Sequence, residues 1–178
     1  MTGPAERSER DLLLGEWACL GLLYPRPAHG FALAELLRPD ADIGRIWSLS
    51  RPLTYRAIAV LLDRGLIDAV GSEPSVAGPD RTVLAATRRG RAQLRRWVRT
   101  PVEHLRDLRS ELLLKLAMAE RCDIDIGEML TAQRTRIEVQ LAVLEIEAFS
   151  GDGEMVDPIA LWRFEASQAG LRFLDQLA

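Results

Sequence analysis

Apolar positions in this chain recur at helical spacing nearly throughout, and at strand-like spacing only between residues 66 and 86. The stretch LLLGEWACLGLLY, residues 12–24, is apolar on nearly all sides. A helix of that kind is buried on more than one side, which predicts a place between its own core and a second subunit. Pro25 and Pro27 end it. In HGFALAELLR, residues 29–38, Phe31, Ala34 and Leu37 fall at i, i+3 and i+6, a second helix that Pro39 stops. PDADIGRIW is a connector. A third helix is predicted from about Arg51 to Arg64, with Ser50 as N-cap and Pro52 tolerated in the first turn. Its inner face is Ile58, Leu61 and Leu62, and Gly65 suits the left-handed position after its end. Arg51, Thr54, Tyr55 and Arg56 fall on the outward side of its first turns.

Two short apolar runs follow, LIDAV and TVLAA, separated by GSEPSVAGPDR. Strands joined by a Gly-, Pro- and Ser-rich tip predict a β-hairpin. Thr87 then caps a fourth helix, RRGRAQLRRWVR, which stops at Pro101. Beyond it every segment is predicted helical. Leu105, Leu108, Leu112, Leu116 and Ala119 make one stripe. From about Ile126 to Phe149, Leu130, Ile137, Leu141, Leu144 and Ala148 make another, and SGDGEMVDP breaks it. The final helix carries Ile159, Trp162, Ala166, Ala169, Phe173 and Leu177. Spacing of three and four over several turns fits a coiled-coil-like seam between two copies, and equally one face of a monomeric helical bundle. The organisation expected is a flexible tail over 1–10, a winged helix over 11–101 and a helical, coiled-coil-like dimerisation domain over 102–178.

Composition adds charge asymmetry. Residues 1–100 hold 15 Arg against 11 Asp and Glu, a net of +4, while residues 101–178 hold 8 Lys and Arg against 15 acids, a net of −7. Such a split suggests a binding half and a partner half. Lys115 is the only lysine. Hydrophobic residues make up 48%, which excludes disorder over most of the length. The longest apolar run, Ala18 to Tyr24, falls far short of the about 20 residues of a membrane span. The start, MTGPAERSERD, has no apolar stretch, so no secretory signal is expected and the protein is taken as soluble and cytoplasmic. Cys19 and Cys122 form no C-x-x-C and are expected to be buried, reduced thiols.

The order helix–helix–helix–hairpin–helix is that of a winged helix-turn-helix. The third helix of such a domain presents its first turns to the major groove, about 12 Å wide, and the wing adds a backbone or minor-groove contact. Arg51, Thr54, Tyr55 and Arg56 then face DNA, with Arg81 on the wing. Arg suits guanine or phosphate, and Thr and Tyr suit phosphate oxygens or a thymine methyl. The arginines Arg88, Arg89, Arg91, Arg95, Arg96 and Arg99 either follow phosphates or form a solvated face paired with acids of the second half, and the second reading is favoured for the last three.

The residues LGEWACLGLLYPRPAHGFALAELL, IWSLSRPLTYRAIAVLLDRGLI and DRTVLAATRRGRAQLRRWVRTP resemble the motifs of the PadR family of transcriptional regulators. Ser50, Tyr55, Gly65, Leu66, Ile67, Arg81, Thr87, Gly90, Arg91, Trp97 and Pro101 fall on motif positions; LRSELLLKLAMA and the terminal helix are similar to later family segments. The resemblance is strong over residues 15–118 and weak over 121–156. It implies a bacterial homodimer whose two winged helices bind a pseudo-palindromic double-stranded operator, usually as a repressor. It also implies DNA contacts at Ser50, Tyr55 and Arg81, and a phosphate met by backbone N–H groups at His29 and Gly30. Phe31 stands where the family often has Tyr, Pro52 and Leu53 replace small or polar residues, and Leu84 replaces an aromatic. Some family members bind flat aromatic compounds between subunits against a tryptophan of the last helix. Trp162, with Trp97, is the candidate for such an effector site, and both are equally candidates for core or interface anchors. Leu141, Leu144, Trp162, Phe173 and Leu177 are the expected dimerisation residues.

No nucleophile–base pair, metal-ligand spacing, P-loop or dinucleotide fingerprint occurs, so no enzyme, metal or cofactor is expected. His29 and His104 lack ligand partners, and Asp123, Asp125 and Glu128 fit helix capping. The rival function is a winged-helix module that holds a protein rather than DNA.

Overall fold

Glu16 opens the fold by turning back on the chain that leads into it: its Oε2 accepts the Leu13 N–H at 2.8 Å, satisfying one donor at the start of α1 (Leu14–Leu22). The computed structural model describes residues 12–74, 80–148 and 157–177. The expected tail, residues 75–79 of the hairpin tip and residues 150–156 of the SGDGEMVDP break lie outside these. All residues from Gly15 to Leu22 are buried in the single chain, so α1 needs no second subunit to cover it, contrary to the expectation from its all-round apolarity. Cys19 lies in this helix; burial, with Glu16 adding to it, pushes its thiol up to about 12. Cys19 and Cys122 are both buried and in no disulfide, as expected.

The chain forms two compact units, one up to Leu94 and one from Arg95. In the first, β1 (Ala28–His29) leads into α2 (Gly30–Leu36), and then α3 (Arg51–Asp63), β2 (Ile67–Glu73), β3 (Arg81–Ala86) and α4 (Arg88–Val98) follow. α4 continues into the second unit. The three strands are antiparallel in the order β1-β3-β2. The hairpin β2–β3 is the expected wing; the two-residue β1 is too short to leave a periodic signal. A register shift falls between Ala69 and Gly71, where Val70 is exposed. This unit is a winged helix-turn-helix.

α3 ends in a Schellman motif: Leu66 N–H reaches the Leu61 carbonyl and Gly65 N–H the Leu62 carbonyl, both at 2.9 Å. Gly65 is left-handed, with φ 63°. The Leu66 carbonyl then accepts Thr87 N–H at 3.0 Å and Thr87 Oγ1 at 3.1 Å. Thr87 Oγ1 in turn accepts Gly90 N–H at 3.0 Å, the predicted cap of α4. A Cβ on Gly90 would collide with the Leu66 carbonyl, so glycine is required for that approach.

In the second unit a 3-10 turn (Leu105–Asp107) and a π-turn (Leu108–Leu112) run into α5 (Leu113–Cys122). The stripe from Leu105 to Ala119 is thus helical but changes its winding twice. α6 (Gly127–Ala148) and α7 (Pro158–Asp175) pack antiparallel, with Leu144 and Ala148 against Ala160 and Phe164 at one end and Ile137 beside Leu174 at the other. Asp125 Oδ1 accepts Gly127 N–H at 3.0 Å, the capping role expected of DIDIGE. Gln133 is buried and holds the chain at Val102 through both its amide oxygen and its NH2. Lys115 is 1% exposed: its Nζ lies 2.8 Å from Glu111 Oε1, donates to the Thr100 carbonyl at 2.6 Å and stands 5.1 Å from the Trp97 ring centre. Removing the partly exposed Glu111 would leave the buried ammonium without its counter-charge.

A Cβ at Gly65 meets nothing within 4 Å, so Gly65→Ala isolates the cost of the left-handed backbone. That substitution is expected to lower unfolding stability by about 1 kcal/mol, read from urea denaturation midpoints at unchanged slope; an unchanged midpoint would contradict the conformational argument.

Candidate nucleic-acid interface

The buried side of α3 is Thr54, Ala57, Ile58 and Leu61. This corrects two expectations at once. Leu62, placed inside by its apolar character, is 40% exposed, and Thr54, placed outside by its hydroxyl, is fully buried. Thr54 Oγ1 donates to the Ser50 carbonyl at 3.1 Å, so its polar atom is satisfied within the helix and its methyl packs inward. Thr54 therefore leaves the outward surface. What remains there is Arg51, Pro52, Leu53, Tyr55 and Arg56, all exposed. Ser50 occupies the N-cap position with extended backbone and an exposed side chain, but its hydroxyl makes no capping bond.

His29 and Gly30 have structural roles at the start of α2. His29 is the N-cap of α2, and its Nδ1 accepts Ala32 N–H at 3.0 Å, so the histidine itself uses an N–H that an anion would need. Gly30 is buried under Tyr55: a Cβ there would sit 2.8 Å from Tyr55 Cε1 and 3.1 Å from Ile58 Cδ1. Gly30 thus seats the Tyr55 ring.

A cluster forms where α2, the first turn of α3 and the wing come together. The guanidinium carbons of Arg51 and Arg81 each stand 4.8 Å from the centre of the Phe31 ring. Arg51 Nη2 lies 3.5 Å from Glu35 Oε1, and Glu35 is also held by Arg38 at 3.2 Å. Arg81 Nη1 lies 3.5 Å from His29 Nε2, which is 3.8 Å from Glu73 Oε2. Residues far apart in sequence supply the cluster, and Phe31 joins them. Sequence reasoning misses Phe31, Glu35 and Glu73 as members; the only hint is the departure from Tyr at position 31.

Of the arginines on and just after α4, Arg96 and Arg99 are exposed, in keeping with the solvated face favoured for them, and Arg89, Arg91 and Arg99 meet backbone carbonyls. Arg91 Nε donates to the Ala86 carbonyl at 3.3 Å, its Nη1 donates to the Tyr24 carbonyl, and its guanidinium lies 5.0 Å from the Tyr24 ring centre. Arg89 reaches the Arg64 carbonyl at 3.4 Å, and Arg99 the Asp125 carbonyl at 3.2 Å. These cations bind carbonyls, which no charge count reveals.

The expected dimerisation residues divide in the second unit. Leu144 is 1% exposed and Leu141 packs beside it, both in the core between α6 and α7. Leu144 is thus inside the chain and not available to a partner, while Leu141 keeps part of its surface exposed. Trp162 is 73% exposed, and Phe173 and Leu177 are exposed too. A groove of about 900 Å³ is lined by Leu105, Leu108, Leu113, Trp162 and Phe173 together with Arg106, Arg109 and Arg163. Trp162 is therefore no core anchor. Trp97 does not line the groove and stacks on Lys115 instead. Among the described residues no group of three His, Cys, Asp or Glu side chains could hold a metal ion, and no helix is long and apolar enough to cross a membrane.

Gly30→Ala is expected to cost about 1 kcal/mol by overpacking against Tyr55. In a Tyr55→Ala background the same change should be neutral or stabilising, since the ring is gone and alanine is the better helix former. Equal costs in both backgrounds, measured by denaturation, would show that the ring does not rest on Gly30.

The chain matches no model of a known protein family and no curated protein. Its structure is similar to that of Bacillus subtilis PadR in complex with operator DNA, at 17% identity over 91% of this chain and 96% of that one, with a TM-score of 0.46. It is similar to Bacillus subtilis PadR in complex with p-coumaric acid, at 16% identity over 96% of each chain and a TM-score of 0.42. It is also similar to smu.1604c from Streptococcus mutans UA159, at 15% identity over 92% of this chain and 98% of that one, with a TM-score of 0.44. Over more than nine-tenths of its length, the chain is thus similar to solved PadR structures at low identity.

Proposed function

We propose that this protein is a sequence-specific, DNA-binding transcriptional regulator of the PadR type, a homodimeric cytoplasmic repressor that reads a pseudo-palindromic operator. The observation that carries this reading is the outward face of α3. Arg51, Tyr55 and Arg56 are exposed on its first turns, and the guanidiniums of Arg51 and of Arg81 from the wing each stand 4.8 Å from the centre of one aromatic ring, that of Phe31. Arg51 and Arg81 suit phosphates, which fix the domain on the duplex. Arg56 and the Tyr55 ring suit base edges. Ser50 sets where the reading helix begins. The +4 balance of residues 1–100 favours a polyanion over an acidic protein surface only weakly; the placement of the arginines favours it more.

A dimer is needed to read two half-sites about 34 Å apart. The outward side of α7 supports one. Ile159, Trp162, Ala166, Ala169, Phe173 and Leu177 form a seam distinct from the row Ala160, Phe164, Ser167 and Leu174 that packs on α6. An apolar seam of that length on one exposed helix face fits a second copy. The groove of which Trp162, Ala166, Ala169 and Phe173 of this seam form one wall supports a flat aromatic effector: Trp162 offers a ring face, and Arg106, Arg109 and Arg163 in the lining offer cations.

Duplex binding is expected to weaken steeply with salt, with a log–log slope of about −0.9 per phosphate neutralised. Arg51→Ala should weaken all sequences alike, while Arg56→Ala should relax sequence preference among genomic fragments retained by the protein. Absence of duplex binding at every salt concentration would refute this reading and favour a protein-binding module.

Sedimentation tests the seam separately. The wild type should run as a dimer at micromolar concentration, and Phe173→Glu should shift it to monomer with its helix content kept. A monomeric wild type would remove the two-half-site arrangement.

A further inference from the structure

We propose that Phe31 is a positioning residue that holds Arg51 and Arg81 together as one fork for a single backbone phosphate of duplex DNA; this rests on the DNA-binding reading above. Three separate elements converge here. Phe31 comes from the first turn of α2, Arg51 from the first turn of α3, and Arg81 from the start of β3. Both guanidiniums lie at the same 4.8 Å from the ring centre. Two like charges drawn to one ring repel each other, and neither is tied down by a strong partner. The contact of Arg51 with Glu35 is 3.5 Å long and exposed, and Glu35 makes its shorter bond, 3.2 Å, to Arg38. Arg81 meets a histidine nitrogen at 3.5 Å. The ring face attracts both cations, and the two nearby carboxylates leave room for a further anion: Glu35 makes its shorter contact to Arg38, and Glu73 lies 3.8 Å from His29. An anion between the two guanidiniums offsets their repulsion, and a phosphate with oxygens directed to each fits that need. The ring also explains why leucine would not serve at position 31: an aliphatic side chain fills space but offers no face to a cation.

A duplex of random sequence, about three helical turns long, is a sufficient probe, because phosphate contacts are sequence-independent. Phe31→Leu is expected to weaken binding about 5-fold and to lower the magnitude of the salt slope by about 1. Phe31→Tyr, which keeps the ring, should restore both. A variant that only loosened the domain would lower affinity and leave the slope unchanged, and that result overturns the proposal, as does wild-type affinity in Phe31→Leu. A second measurement leaves Phe31 in place. If the two arginines share one phosphate, Arg51→Gln and Arg81→Gln should each cost most of what the double variant costs, and strictly additive losses would overturn the fork. Failure of the wild type to bind the duplex even at low salt removes the DNA reading together with this one; binding by the wild type with an unaltered Phe31→Leu removes this one alone.

Discussion

The peptide group of Leu66 is the point on which the first unit depends. Its N–H closes α3 on the Leu61 carbonyl, and its own carbonyl receives both the N–H and the hydroxyl of Thr87. Gly90 lies against that same carbonyl closely enough to exclude any side chain. One residue thus ends α3, starts the wing and fixes where α4 begins. Its side chain is buried as well, so the connection is both polar and apolar. The geometry is possible only because Gly65 takes the left-handed turn just before it. This junction sets the angle between α3 and the wing, which the proposed contact of both with one duplex requires.

From that junction the candidate interface follows by phase. Once α3 buries Thr54, Ala57, Ile58 and Leu61, the residues at 51, 55 and 56 have no direction left but outward. The Tyr55 ring comes to rest on Gly30, and Arg51 swings over Phe31. Strand β1 pairs with β3 through Ala28↔Leu84 and His29↔Val83, which draws the start of the wing strand toward the start of α2. That pairing brings Arg81 to the ring that Arg51 already faces. The electrostatics are local: the cluster holds two arginines, a histidine and two glutamates within a few ångströms, whatever the charge of the whole chain.

The second unit divides its apolar surface differently. α7 carries two rows of large side chains, one against α6 and one facing out, and the outward row holds the exposed tryptophan. α6 has exposed apolar residues too, Val139, Val143 and Ile146, spaced at four and three. Against these apolar rows stands the single lysine of the chain, buried beside a partly exposed glutamate, a carbonyl and an indole. Such a pair gives little net stability compared with an apolar replacement, but it fixes geometry, because no other arrangement satisfies the charge.

By itself the sequence determined the order of the elements, because each is announced by short-range physics: prolines that stop helices, Thr87 at a cap, Gly65 at a left-handed turn, two apolar runs around a Gly- and Pro-rich tip. It also determined which stretch bears the outward arginines, and with that the class of ligand to test. The tertiary structure decided what depends on partners distant in sequence. Thr54 is inside because its hydroxyl finds the Ser50 carbonyl, while Leu62 is outside because the helix phase leaves it there. Gly30 became a seat for Tyr55, and Leu144 went to the core of its own chain. Phe31, which pattern alone marked only as an apolar position, became the meeting point of two cations. Periodicity reports how far each residue is turned about its own helix axis; it carries no information on what stands opposite, and the chemistry of an interface resides in those opposite groups.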